Sequence, residues 1–93
     1  MKITCCGTQG RLHTFCLTDD DAILHCVREQ NSGWSPWQNV HPGQFTDVSC
    51  ATVGDTVHVI AITQTGITVH SILGPGGQWQ GFQQLPNQPI MEE

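Results

Sequence analysis

Trp34-Ser35-Pro36-Trp37-Gln38-Asn39-Val40 returns forty-five positions later as Trp79-Gln80-Gly81-Phe82-Gln83-Gln84-Leu85, and this recurrence decides how the chain is read. Extended backwards without a gap, the same offset pairs Ile3 with Val48, Cys5 with Cys50, His13 with His58, Thr18 with Thr63 and His25 with His70. Pairs that keep only their chemical type fall into the same frame, among them Leu12 with Val57, Phe15 with Ile60, Val27 with Ile72 and Trp37 with Phe82. The chain therefore reads as two copies of one unit, residues 1–45 and residues 46–93, the second ending in a short acidic tail.

Each copy has the punctuation of short strands. Ile3 to Thr8 closes on Gln9-Gly10, and Val48 to Val53 closes on Gly54-Asp55, which predicts a strand and a hairpin turn in both. The next runs are Arg11 to Thr18 and Thr56 to Thr63. In the second, Val57, Val59 and Ala61 fall on one face and His58, Ile60 and Ile62 on the other, so the strand is expected to be covered on both sides. The turns Asp19-Asp20-Asp21 and Gln64-Thr65-Gly66 lead into third strands, Ala22 to Glu29 and Ile67 to Leu73, rich in β-branched and apolar residues. After Gln30 to Gly33 and Gly74-Pro75-Gly76-Gly77, the Trp-containing segments form fourth, outermost strands, where Pro36 is tolerated. His41-Pro42-Gly43-Gln44 links the copies, and Pro86-Asn87-Gln88-Pro89 is its counterpart before the tail.

Four short antiparallel strands recurring every ~40 to 50 residues is the pattern of a β-propeller blade. The expected fold is all-β, with two four-stranded blades per chain. Two blades cannot close a ring, and a blade buries its faces only against neighbours. The chain is therefore expected to bind copies of itself: three chains give six blades, while a dimer or a tetramer would give four or eight. Cys5 and Cys50 then lie on the innermost strand, where small residues fit.

Composition narrows the function. The formal charge of −5, with only Lys2, Arg11 and Arg28 basic, offers no footprint for nucleic acid or an anionic membrane surface. No stretch approaches the ~20 apolar residues of a membrane span, and the N-terminus lacks the order of a signal peptide. The expected location is the cytoplasm, or outside the cell by a route without a signal peptide. The odd set Cys5, Cys6, Cys16, Cys26 and Cys50 sits mostly in apolar runs and reads as reduced, buried small residues. No Cys-x-x-Cys pair suggests zinc.

Trp34-Ser35-Pro36-Trp37 follows a strand containing Leu24-His25, and Trp79-Gln80-Gly81-Phe82 follows Val69-His70. With these segments in both copies, the sequence resembles bacterial β-propeller lectins of the Photorhabdus and tachylectin-2 types. The resemblance implies a multivalent carbohydrate-binding protein. Its monosaccharide sites, for fucose-like or methylated and N-acetylated sugars, would lie in crevices between blades. Small two-blade fucose lectins that trimerise supply the precedent for the assembly. The chain departs from the pattern where Asp20-Asp21 and Thr65-Gly66 stand for the usual Asp-Gly turn, and where Arg28 is matched by Leu73.

A sugar site needs an aromatic face and a few fixed polar groups in a shallow crevice. Trp34, Trp37, Trp79 and Phe82 can supply the first, and Arg28, Glu29, Gln38, Gln83, His25 and His70 the second. One aromatic of each pair is equally suited to anchor the outer strand. His13, His25, His58 and His70 invite a metal or acid/base reading, but their spacing lacks the usual ligand patterns, and a repeated structural hydrogen bond explains them as well. Asp19-Asp20-Asp21 reads as a solvated turn rather than as acids facing each other across a cleft. The chain is read as non-enzymatic, without metal or cofactor. The other class that remains is a structural or protein-binding propeller whose crevices take no small molecule.

Overall fold

The computed structural model describes residues 2–86, so residues 87–89 of the second link and the acidic tail lie outside it. The first sheet contains β1 (Lys2–Thr8), β2 (Arg11–Leu17) and β3 (Ile23–Glu29), with its fourth position filled by two short pieces, β4 (Gly33–Trp34) and β5 (Gln38–His41). The second sheet contains β6 (Phe45–Val53), β7 (Thr56–Thr63), β8 (Thr68–Leu73) and β9 (Gln83–Gln84). Both are antiparallel meanders, and there is no helix among the described residues. No helix long and apolar enough to cross a membrane is found among them either.

The turns explain the order. Gln9 and Gly10 both have positive φ, 56° and 74°, the backbone of a type I′ hairpin whose twist matches that of the strands it joins. The outermost strand breaks because Pro36 has no N–H for a ladder. Ser35 replaces part of the lost pairing: its N–H donates to the Val27 carbonyl at 2.8 Å and its Oγ accepts from Val27 N–H at 2.9 Å. In the second copy Gln80 N–H donates to the Ile72 carbonyl at 3.0 Å, the same backbone bond one repeat later.

The sheets pack through unlike faces. Thr4 Oγ1 lies 3.7 Å from Cys50 Sγ, Thr8 Oγ1 donates to the Gly54 carbonyl at 2.9 Å, and Lys2 Nζ is 3.3 Å from Asp47. These pairs keep a nearly constant sequence separation, so β1 and β6 run side by side in one direction. Phe15, Leu17 and Ile23 of the first sheet meet Val48, Val57, Val59, Ala61 and Leu73 of the second, with Phe45 closing the core. In repeat terms, the His13–Phe15–Leu17 face of one copy covers the Val57–Val59–Ala61 face of the other.

Coverage of the middle strands differs between copies. Every residue of β2 from His13 to Leu17 is buried, although the second sheet covers only its His13–Phe15–Leu17 face. In β7, expected to be covered on both sides, only Val57, Val59 and Ala61 are buried, while His58, Ile60 and Ile62, on the face turned away from the first sheet, are half-buried. The five cysteines are free thiols. Cys16 and Cys26 are buried, Cys6 and Cys50 half-buried, but Cys5 is exposed, contrary to the expectation of burial. It pairs with Thr14, on the face of the first sheet turned away from the second.

Among the described residues, one buried side-chain polar atom is unpaired. Ser71, 2% exposed on β8, has an Oγ without a hydrogen-bond partner, and the equivalent position in the first copy is Cys26. Removing a buried unsatisfied hydroxyl relieves its desolvation cost. Ser71→Ala is expected to raise stability by about 1 kcal/mol in urea unfolding, and an unchanged midpoint would contradict this account.

Candidate functional site

The repeated histidines are cross-strand pairs. His13 on β2 sits diagonal to His25 on β3, and their Nδ1 and Nε2 atoms are 3.0 Å apart. In the second sheet His58 Nδ1 and His70 Nε2 are 2.9 Å apart. Ring planes are parallel within 3° and 9°, and the centroid separations of 5.2 and 5.1 Å are accounted for by the N···N distance plus two ring radii. Each pair is thus nearly coplanar, joined by an in-plane N–H···N bond. Such a bond requires one nitrogen to donate and the other to accept, so the two facing nitrogens cannot both carry a proton.

Around the first pair the two sheets form an open cleft of about 230 Å³, lined by Arg11, His13, His25, Val27, Glu29 and Gln38 from one side and Leu73, Gly77 and Trp79 from the other. A second depression of about 290 Å³ shares His25, Val27, Glu29 and Gln38 and extends to Ser32, Gly33, Trp34 and Ser35. The shared residues make them adjoining lobes. Trp79 stands edge-on to the stacked Phe15–His25 pair, with centroids 5.8 Å from Phe15 and 5.9 Å from His25. It is held to the wall by core packing while still lining the cleft. At the rim Arg11 Nε donates to Glu29 Oε1 at 2.8 Å.

Burial sets the electrostatics. His25 is 7% exposed, and desolvation, with the neighbouring His13 second, lowers its pKa from 6.5 to about 4. His13 is lowered too, first by burial and then by the Arg11 charge. On the strand surface between the sheets, burial and the hydrogen-bonded Cys50 thiol push Cys6 up to about 12, so it is a poor nucleophile. Among the described residues no three His, Cys, Asp or Glu side chains converge as a metal site.

Of the side chains expected to form a sugar site, His25, Glu29, Gln38 and Trp79 meet in the cleft, and Trp34 borders the adjoining lobe. Phe82 packs instead against Phe45 and His41, with centroids at 5.5 and 5.9 Å. Arg28 lies 5.9 Å above the Trp34 ring, and it lines neither lobe; nor do Trp37, His70 and Gln83. Arg11, Leu73 and Gly77 were not singled out from the sequence, because only the pairing of the two sheets brings them to the cleft. Compared with models of protein families and with curated proteins, the chain matches none.

Proposed function

We propose that the chain is a multivalent carbohydrate-binding lectin: two propeller blades whose ring is completed by copies of itself, six blades as a trimer, with monosaccharide sites between adjacent blades. The observation that carries this reading is the cleft between the sheets, where the Trp79 ring of one faces His25, Glu29 and Gln38 of the other. An aromatic wall opposite polar side chains in an open crevice is what a sugar requires. The volume is slightly below the ~300 to 1,000 Å³ of sites for drug-sized ligands, which suits a single sugar ring.

Self-assembly is supported by what equivalent residues lack. Trp79 is covered by Phe15 and His25, whereas Trp34, at the same place in the repeat, is 52% exposed. Phe82 is covered by Phe45 and His41, whereas Trp37 is 47% exposed. The half-buried Ile60 and Ile62 of β7 answer to the buried Phe15 and Leu17. A second copy laid on the first, as the second sheet lies on the first within the chain, would bring Trp34 onto Ile60 and His70. That contact is head-to-tail, and it generates a ring if its rotation closes.

Titration calorimetry with fucose and with O-methylated and N-acetylated sugars tests the function. Single sites are expected to have Kd of roughly 10⁻⁵ to 10⁻³ M, since a monosaccharide contributes few atoms, and avidity on a glycan-coated surface rises about 10² to 10⁴-fold. Gln38→Ala, at an exposed side chain, should weaken the intrachain site without unfolding it, and Trp79→Ala should remove it. Light scattering should give about three times the 10.2 kDa chain. No sugar heat at millimolar ligand ends the lectin reading, and a folded monomer at micromolar concentration ends the ring. A ring without sugar heat would leave the structural or protein-binding propeller.

A further inference from the structure

The cleft that holds Trp79 does not end at the gap between the sheets. Its lobe of about 230 Å³ continues across β3 into the depression of about 290 Å³, and His25, Val27, Glu29 and Gln38 line both. Beyond these four the walls differ. Gly77 and Trp79 of the second sheet close the inner lobe, whereas Ser32, Gly33 and Ser35 of the first sheet edge the outer one. The two lobes are therefore one groove, leading from the core-held indole to the turn before the outermost strand.

The outer lobe follows from how that strand is built. Ser32 N–H donates to the Glu29 carbonyl at 3.3 Å, and Gly33, with φ at 74°, completes the reversal. Between Trp34 and Gln38 the outermost strand is interrupted, and Ser35 is tied to Val27 by both its N–H and its Oγ, at 2.8 and 2.9 Å. The interruption leaves β3 partly uncovered there, with Val27 half-buried and Glu29 exposed. Backbone bonds fix this turn before any ligand arrives, so occupying the shelf requires little ordering.

Its chemistry suits a sugar ring. Val27 supplies an apolar strip, and Gln38 beside it both donates and accepts. Arg11 Nε occupies Glu29 Oε1 at 2.8 Å, but a carboxylate has about four lone-pair sites, so Glu29 can still accept from hydroxyls. The same carboxylate repels an acidic group placed beside it. Each lobe is slightly below the roughly 300 to 1,000 Å³ of sites for drug-sized ligands, which is room for one ring apiece. The shared residues stand where a linkage between two rings would cross.

We propose that this groove takes a neutral disaccharide, with the terminal ring against Trp79 in the inner lobe, the second ring on the Val27 shelf, and Glu29 and Gln38 holding hydroxyls on either side of the linkage. The proposal rests on the lectin reading above and extends it from one ring to two. Glu29 has Gly74 as its counterpart and Ser32 has Gly77, so a crevice built on the second copy lacks both side chains. The preference for a second ring belongs to the first copy.

¹H–¹⁵N correlation spectra of the full chain assign each ring to its lobe, because Gly33 edges only the outer of the two and Gly77 only the inner. N-acetylglucosamine should move the Gly77 amide alone, and N,N′-diacetylchitobiose should move Gly77 and Gly33 together; fucose and fucosyl-galactose form the parallel series. In the series that binds, the disaccharide should have a Kd about tenfold lower, a gain in keeping with the few contacts added. N-acetylglucosaminyl-glucuronic acid, whose second ring is acidic, should bind no tighter than N-acetylglucosamine. Ser32→Trp fills the outer lobe from an exposed turn position. It should abolish the advantage of the disaccharide and leave the monosaccharide Kd unchanged, while Trp79→Ala should remove both, with circular dichroism checking the fold. A disaccharide that binds no tighter than its terminal sugar, or that leaves Gly33 unmoved, overturns the proposal while the lectin reading stands. A monosaccharide that moves both glycines alike also overturns it, because the lobes then serve a single ring. If no sugar of either series moves Gly77 or Gly33, the lectin reading falls and takes the proposal with it.

Discussion

Phe15→Ala is expected to lower stability by about 3–5 kcal/mol, the range for removing a fully buried aromatic from a core. Phe15 is 0% exposed and stacks on His25 at 4.5 Å, with the Trp79 edge 5.8 Å away, so its ring joins the two sheets. A domain of this size holds roughly 5–15 kcal/mol in all. The loss is therefore a large fraction of the total and should appear as a fall of a molar or more in the urea midpoint. Phe15→Leu keeps most of the volume and should cost under about 1.5 kcal/mol. Equal costs for the two variants would mean that the ring contacts, rather than the space filled, hold the sheets together; a negligible cost for Ala would contradict the packing described. Ile60→Ala, at the equivalent but half-buried site, should cost less in a monomer and become concentration-dependent if copies cover that face.

The contrast between Phe15 and Ile60 marks the boundary of what the residues reveal alone. Strand order, the hairpin at Gln9-Gly10 and the outermost position of the Trp34 segment were legible, because turn chemistry and a fixed offset are local properties, whereas its break into two short pieces was not expected. The offset also held in the pairing register, where His13 sits opposite Val27 and His58 opposite Ile72. Burial is different, since it depends on which sheet lies across from a face. Trp34 and Trp79 share a motif and differ only in having a neighbour, and Cys5 is exposed because it points away from the second sheet. The histidine pairs left a signal in the twelve-residue separation repeated in both copies. That separation becomes a bond only once the strand register makes the two positions diagonal neighbours.

Acid should loosen the same region. Burial holds His25 near a pKa of about 4, against an ordinary value of 6.5, so the folded state favours the neutral ring. Between those values the unfolded chain binds more protons, and stability rises with pH. The contribution is complete above about pH 6.5 and is lost as pH falls through 4. A shift of this size corresponds to about 3 kcal/mol, and His13, lowered in the same direction, adds to it. Burial is the first reason a proton is unwelcome on His25, and the neighbouring His13, which occupies its Nε2, is the second. A proton on both rings would leave two donors 3.0 Å apart with no acceptor between them. The urea midpoint is therefore expected to be flat between pH 7 and 8 and to drop steadily from 6.5 to 4. His25→Gln, which can still hydrogen-bond to His13 but does not titrate, should flatten most of that drop. An unchanged slope in His25→Gln would assign the acid sensitivity elsewhere, and a flat wild-type profile would mean that water reaches His25 far more freely than its 7% exposure implies.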